Sequence, residues 1–309
     1  MNFQQLRSVR EAQRRGFNLT EVAHALHTSQ PGISRQIREL EDELGIEIFA
    51  RAGKRLTGLT QPGAHVMPIV EKLLREAENL RRAGADFAQA GSGTLRIAAT
   101  HSQARYALPP VVRDFRQAHP EVMLQFKQGS PEQVAQALID GEADLGIATE
   151  ALALHEELLT LPCYRWTHTV LVPPGHALAS LPEGQVLSLE QLARYPIITY
   201  ETGYTGRSHI DDAFAAAGLP LQVVLAAMDA DVIKTYVELG LGVGIVAAIA
   251  YDEERDRHLR ALDARHLFAD NLTRLALRRD AYLRDYVYAF IETFAPPLSR
   301  QVVEQARHG

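Results

Sequence analysis

Cysteine is almost missing from this 309-residue chain: Cys163 stands alone, so neither an intrachain disulfide nor a cysteine-based zinc site can form, and a reducing compartment is the simple reading. Long apolar runs are missing too. The longest, Leu239 to Tyr251, carries three glycines and is too short to span a bilayer. The opening Met1 to Arg7 has no apolar stretch behind a basic flank, so no secretory signal is expected and the chain reads as cytoplasmic, with no membrane partner. Positive charge is not in excess. Against 32 Lys and Arg stand 38 Asp and Glu, which excludes a protein that coats nucleic acid by bulk electrostatics. Enzyme signatures are also lacking. Gly240-Leu241-Gly242-Val243-Gly244 has no third glycine of a dinucleotide fingerprint, and Leu159 stands where a zincin motif begun at His155 needs its second histidine. No catalytic residue, metal or cofactor is therefore assigned.

What is present is an ordinary globular composition, 46% apolar and 23% charged, with length for about two domains. The positive charge is local. Up to Phe87 there are 13 basic and 11 acidic residues, and 19 and 27 after it. From Leu6 to about Phe87 the periodicity is helical, interrupted around Gly45 to Gly63. Asn18 with Glu21 opens a short helix as a capping box, and Ser29 caps a third helix with Pro31 in its first turn and Gly45 as its stop. Ile33, Ile37, Leu40 and Leu44 share one inward face of that helix. Its other side carries Pro31, Ser34, Arg35, Arg38 and Asp42, with Gln30 at the edge, groups suited to base edges and phosphates in a major groove. A strand and a glycine turn follow with Arg51, Lys54 and Arg55, the shape of a phosphate-touching wing. The pattern predicts a winged helix-turn-helix over 1–60, with Ser29, Gln30, Pro31, Ser34, Arg35, Arg38, Arg51, Lys54 and Arg55 on DNA. The plainer reading of these arginines is a solvated surface.

Val66, Val70, Leu73, Ala77, Leu80, Gly84 and Phe87 then recur at heptad spacing, predicting a dimerisation helix over 61–89 with Val66, Val70, Leu73, Leu80 and Phe87 on its seam. The alternative is packing on the head itself. After Gly91-Ser92-Gly93 strands and helices alternate, implying an α/β body with parallel pairing and two small lobes. Ligands in such folds sit beyond the carboxyl ends of strands, and there the chain places Thr100-His101-Ser102-Gln103, Thr149 and the run from Thr199 to Ser208. Hydroxyls, an amide and helix starts suit a small anion or zwitterion. Each such residue is also a common helix cap.

The segment Thr28-Ser29-Gln30-Pro31-Gly32-Ile33-Ser34-Arg35-Gln36-Ile37-Arg38 through Gly45, continued by Ile48-Phe49-Ala50-Arg51, resembles the recognition region of the LysR-type transcriptional regulators. Beyond the head, Thr100 to Pro109, Gln128 to Pro131, Ala148 to Leu152, Leu161 to Tyr164 and Asp229 to Val237 are similar to the sulfur-assimilation branch of that family. The resemblance implies a homotetrameric activator of cysteine-biosynthesis genes that binds double-stranded promoter DNA and contacts RNA polymerase. Its effector domain, similar to periplasmic binding proteins, would take acetylserine, with sulfate and thiosulfate as competing anions. By position the anion site maps to Thr100, Ser102, Gln103, Thr149 and Thr205, with Trp166 on the cleft wall or in the second lobe's core. Ser102 and Glu201-Thr202 depart from the family's pattern there, Glu201 adding negative charge. The implied effector domain covers 93–309, with lobe I at 93–163 and 267–309 and lobe II at 164–266. Two rivals stand beside this: a regulator of alkanesulfonate utilisation answering to adenosine phosphosulfate, and an α/β solute-binding module or enzyme with an incidental helical head.

Overall fold

The computed structural model describes residues 1–53, 55–88, 91–180, 186–204 and 206–308, with 86–88 and 150 described by backbone alone. The chain forms two compact units, Met1–Ala88 and Gln89–Gly309. In the first, α1 (Phe3–Arg14) starts at a capping box between Asn2 and Gln5, and α2 (Leu19–Ala25) is capped by Asn18, whose own amide donates to Glu21. Helix α3 (Gln30–Leu44) begins where Ser29 Oγ accepts from Gly32 N at 3.2 Å and ends at Gly45, whose φ of 69° needs a residue without Cβ. Ile33, Ile37 and Leu40 are buried against α1 and α2, but Leu44 is exposed, a correction to its expected inward place. Glu41 lies buried on this helix in its stead, because α3 ends beneath the wing and the chain needs an acceptor there.

The wing is a two-stranded antiparallel hairpin, β1 (Phe49–Ala52) and β2 (Arg55–Leu59), turning at Gly53; Lys54 lies outside the described residues. Helix α4 (Gln61–Ala88) follows. Its expected seam is divided: Val70, with Met67 and Leu74, is buried in the head's own core and Val66 packs against it, whereas Ile69, Leu73 and Leu80 are exposed. The first three turns of α4 must cover the wing and α1, so Val66 and Val70 are corrected to head-core residues. The Phe87 side chain lies outside the described residues.

In the second unit, one sheet runs β4 (Val122–Gln128), β3 (Gly93–Ala99), β5 (Leu145–Ala148), β12 (Asn271–Arg278), β6 (Leu158–Trp166). The other runs β11 (Arg260–Asp263), β7 (His168–Val172), β10 (Val243–Ala247), β8 (Ile197–Tyr200), β9 (Val223–Ala227). Both are mixed rather than wholly parallel: β12 is antiparallel to β5 and β6, and β7 to β10 and β11. The cause is the double crossing, since a strand that returns from the other lobe enters its sheet from the far end. A π-helical turn (Gln103–Ala107) runs into α5 (Leu108–Ala118), and α10 (Asp285–Phe294) packs beside it through an edge-to-face contact of Phe115 with Phe290 at 5.2 Å. Helix α6 (Pro131–Ile139) carries the capping box of Ser130 and Gln133, and α7 (Leu189–Leu192), α8 (Arg207–Ala216), α9 (Ala230–Glu238) and α11 (Arg300–His308) complete the layers. Strand β6 holds its pairing with β12 through Trp166, so Trp166 is the last residue of the first lobe's sheet and not a member of the second lobe. Among the described residues no helix is long and apolar enough to cross a membrane.

Candidate functional site

On the head, Gln30, Pro31, Arg35 and Arg38 are exposed on one side of α3 and Ser34 is half-buried. The Arg35 side chain is 81% exposed and donates from Nε to Glu39 at 2.7 Å; that bond raises the guanidinium pKa and lowers that of Glu39, which also accepts from Gln5 at 3.2 Å. Gln30 and Arg55 share a concavity of about 370 Å³ with Phe17, Asn18 and Thr20, joining the start of α3 to the wing. Arg51 differs from the other expected DNA contacts. It donates to buried Glu41 at 2.5 Å, while the other carboxylate oxygen accepts from Ile48 N at 2.9 Å and Phe49 N at 3.1 Å. Arg51 is thereby corrected to a residue that fixes the wing to α3, since a buried carboxylate requires a paired cation.

In the second unit β3 and β5 are neighbouring parallel strands, so the residues that follow them lie side by side, with Thr100 N donating to Ile147 O at 3.1 Å. Thr100, Ser102, Gln103 and Thr149 are all buried. The Thr149 hydroxyl caps nothing, and Ser102 Oγ makes no hydrogen bond of good geometry but lies close to the Tyr200 phenol. Gln103 is already engaged: its amide donates to Thr273 at 3.1 Å and accepts from the Tyr164 phenol at 2.5 Å. Tyr200 lies beneath this region, its phenol pushed up to about 12 by burial against the lowering effect of the Ala247 amide and Ser102. Thr205 lies outside the described residues; its neighbour Gly206 starts α8 at a φ of 67°, and Glu201 is exposed. Thr149, Leu154, Tyr204, Gly206 and Arg207 line a cavity of about 370 Å³ between the lobes. Trp166 is buried, 7% exposed, edge-on to His168 at 5.3 Å.

Sequence reasoning missed a clasp between the lobes. Asp231, in the first turn of α9, accepts from the Tyr106 phenol at 2.7 Å and Arg105 Nε at 3.1 Å, both from the opposite lobe. Lys234 bonds Asp231 at 3.1 Å and buried Asp256 at 3.0 Å. Burial pushes the Asp231 carboxyl up, but hydrogen bonds from Tyr106, Arg105 and Lys234 outweigh it and hold it at about 2. The one signal in the chain is an acid followed three residues later by lysine at a helix start, common on any exposed helix. Asn271 was missed as well; it pairs with Trp166 across the crossing and is wholly buried.

Chemistry of other kinds finds little support. Cys163 is half-buried and its thiol is pushed up to about 11 by burial, away from the reactive range. Among the described residues no three metal-binding side chains gather. What the arrangement offers is neutral hydrogen bonding in a cleft and cations on a helix.

Two family models match: bacterial regulatory helix-turn-helix protein, lysR family, over residues 3–64, and LysR substrate binding domain over 88–296. Among curated proteins the chain is similar to the HTH-type transcriptional regulator SsuR of Burkholderia cenocepacia, 58% identical over 97% of this chain and 96% of that one. It is 53% identical to CysB of the same organism, covering 100% and 98%, and 51% identical to cbl of Escherichia coli, covering 99% and 98%. Among solved structures, the cofactor-binding domain of the Cbl transcriptional regulator matches with TM-score 0.66 and 48% identity over 69% of this chain and 92% of that one. Full-length CbnR complexed with its target DNA matches with TM-score 0.60 over 95% and 99%, at 19% identity a likeness of fold alone.

Proposed function

Because this chain belongs to the LysR-type transcriptional regulators, a family of regulators and not of enzymes, we propose that it controls sulfur-assimilation genes in response to acetylserine, as an activator. Helix α3 enters the major groove of promoter DNA, with Gln30, Pro31, Ser34, Arg35 and Arg38 toward the bases and Arg55 toward phosphate. Exposed Leu73 and Leu80 pair two copies through α4, and two pairs form the tetramer that engages RNA polymerase. The observation that carries the effector reading is the row of buried hydroxyls at adjacent strand ends, Thr100, Ser102 and Thr149. Neutral donors take up a small anion or zwitterion there without a competing charge, and sulfate or thiosulfate compete for the same hydroxyls.

Trp166 emission, titrated with N-acetylserine, O-acetylserine, sulfate, thiosulfate and adenosine phosphosulfate, tests this. Saturable acetylserine binding, weakened in Thr100→Ala and Thr149→Ala, supports the reading. Response to adenosine phosphosulfate alone selects the second reading, a regulator of alkanesulfonate utilisation. Silence toward all five ligands refutes both.

A further inference from the structure

We propose that Asn271 and Trp166 form a second half of the effector cleft, taking a neutral group that presents a hydrogen-bond donor and an acceptor side by side. The proposal rests on the effector reading of the cleft given above. Side chains alternate along a strand, so Tyr164 and Trp166 share one face of β6 and Asn271 and Thr273 share one face of β12. The register sets Thr273 opposite Tyr164 and Asn271 opposite Trp166. Gln103 covers the first pair and bonds both members, at 3.1 Å to Thr273 and 2.5 Å from Tyr164. One step along the same face, nothing does this. Asn271 is 0% exposed and neither its Oδ1 nor its Nδ2 has a partner among the described residues; Trp166 Nε1, in a residue 7% exposed, is equally bare. Buried polar atoms in folded proteins are nearly always paired, so a cluster of three calls for a partner outside the chain.

Across the crossing, Gly206 lies over Asn271 so closely that a Cβ there would stand 2.1 Å from Oδ1. The amide is thus held under the start of α8, and access requires the Gly206 turn to lift about the two chain crossings. The chemistry of the ligand follows from the donors. An anion offers acceptors only and would leave Oδ1 unpaired, so it belongs at the hydroxyl end. An amide side chain is matched by a planar edge with adjacent donor and acceptor, as asparagine matches adenine. A nucleobase edge and a primary amide share that chemistry; a secondary acetyl amide, with its N–H and carbonyl on opposite sides, does not.

Calorimetry on the full-length protein separates the sources, with inorganic sulfate, adenosine phosphosulfate and N-acetylserinamide as probes. The expected result is that Asn271→Leu leaves the sulfate Kd within about twofold and weakens the nucleotide, the amide or both by roughly tenfold or more, without lowering the thermal midpoint of the free protein. Trp166→Phe, which removes the N–H and keeps an aromatic ring of smaller volume, is expected to act in the same direction and decides the matter should Asn271→Leu not fold. Unchanged binding of all probes in the variants overturns the proposal, as does equal weakening of sulfate. Wild-type protein that binds sulfate but neither other probe refutes this half of the site and leaves the hydroxyl end standing; failure to bind sulfate refutes the hydroxyl end instead.

Discussion

Guanidinium groups of the head differ by what lies beside them. Arg38 projects from α3 into solvent, so Arg38→Ala is expected to cost about 1–3 kcal/mol of specific promoter binding in a gel-shift or anisotropy titration and to leave the melting temperature in place. Arg51 is expected to behave oppositely. Its removal strands the buried Glu41 carboxylate on two backbone amides, and Arg51→Ala should lose about 1.5–3 kcal/mol of stability in urea denaturation. Arg51 and Arg55 look alike in the sequence because the pairing partner stands ten residues back on another element. Ser29 and Gly45 were legible, since a cap depends on neighbours within three residues. Gly206→Ala, at a left-handed φ and over Asn271, is expected to destabilise the effector unit by about 1–2 kcal/mol from backbone strain, with the clash of its Cβ against Asn271 adding to that, read as a lowered thermal midpoint.

Elements carry the next set of consequences. Helix α4 has apolar residues on more than one side, and only packing decides which side the head takes: Met67, Val70 and Leu74 go inward, Ile69, Leu73 and Leu80 outward. Periodicity alone drew a single seam through both sets. At the start of α9 the clasp on Asp231 makes a pH prediction. A carboxyl held at about 2 against an ordinary 3.8 contributes stability that is complete above pH 4 and is lost as pH falls toward 2. Acid titration of thermal stability should therefore decline over that window, and Asp231→Asn should flatten the decline; an unchanged profile would show that the clasp does not hold the lobes in solution. The same substitution releases Arg105 and the Tyr106 phenol, which burial first and then the Asp231 bond raise well above the usual tyrosine range.

For the whole molecule the question is how many copies act together. The outward residues of α4 are apolar and lie on a helix long enough to pair, so Leu80→Glu is expected to shift sedimentation toward smaller species while the head melts unchanged, because Leu80 is 75% exposed in the single chain. Loss of head stability instead would place Leu80 in a contact within one chain. On the proposed reading, an effector in the cleft would act by differential affinity for lobe arrangements, and the clasp and the Asn271 pair are the two places where a change of arrangement would make or hide polar contacts.

The amino-acid sequence by itself determined the helix-turn-helix, its caps, the polar face of α3, the alternating α/β body and the hydroxyls after β3 and β5, because these rest on spacing and on residues close in the chain. Tertiary structure alone decided that Glu41 and Arg51 pair, that Val66 and Val70 belong to the head, that the sheets are mixed, and that Trp166 meets Asn271 at the crossing. Those contacts join residues 10 to more than 100 positions apart, and which face of a strand or helix meets which partner is set by the packing of whole elements, a choice that no local pattern encodes.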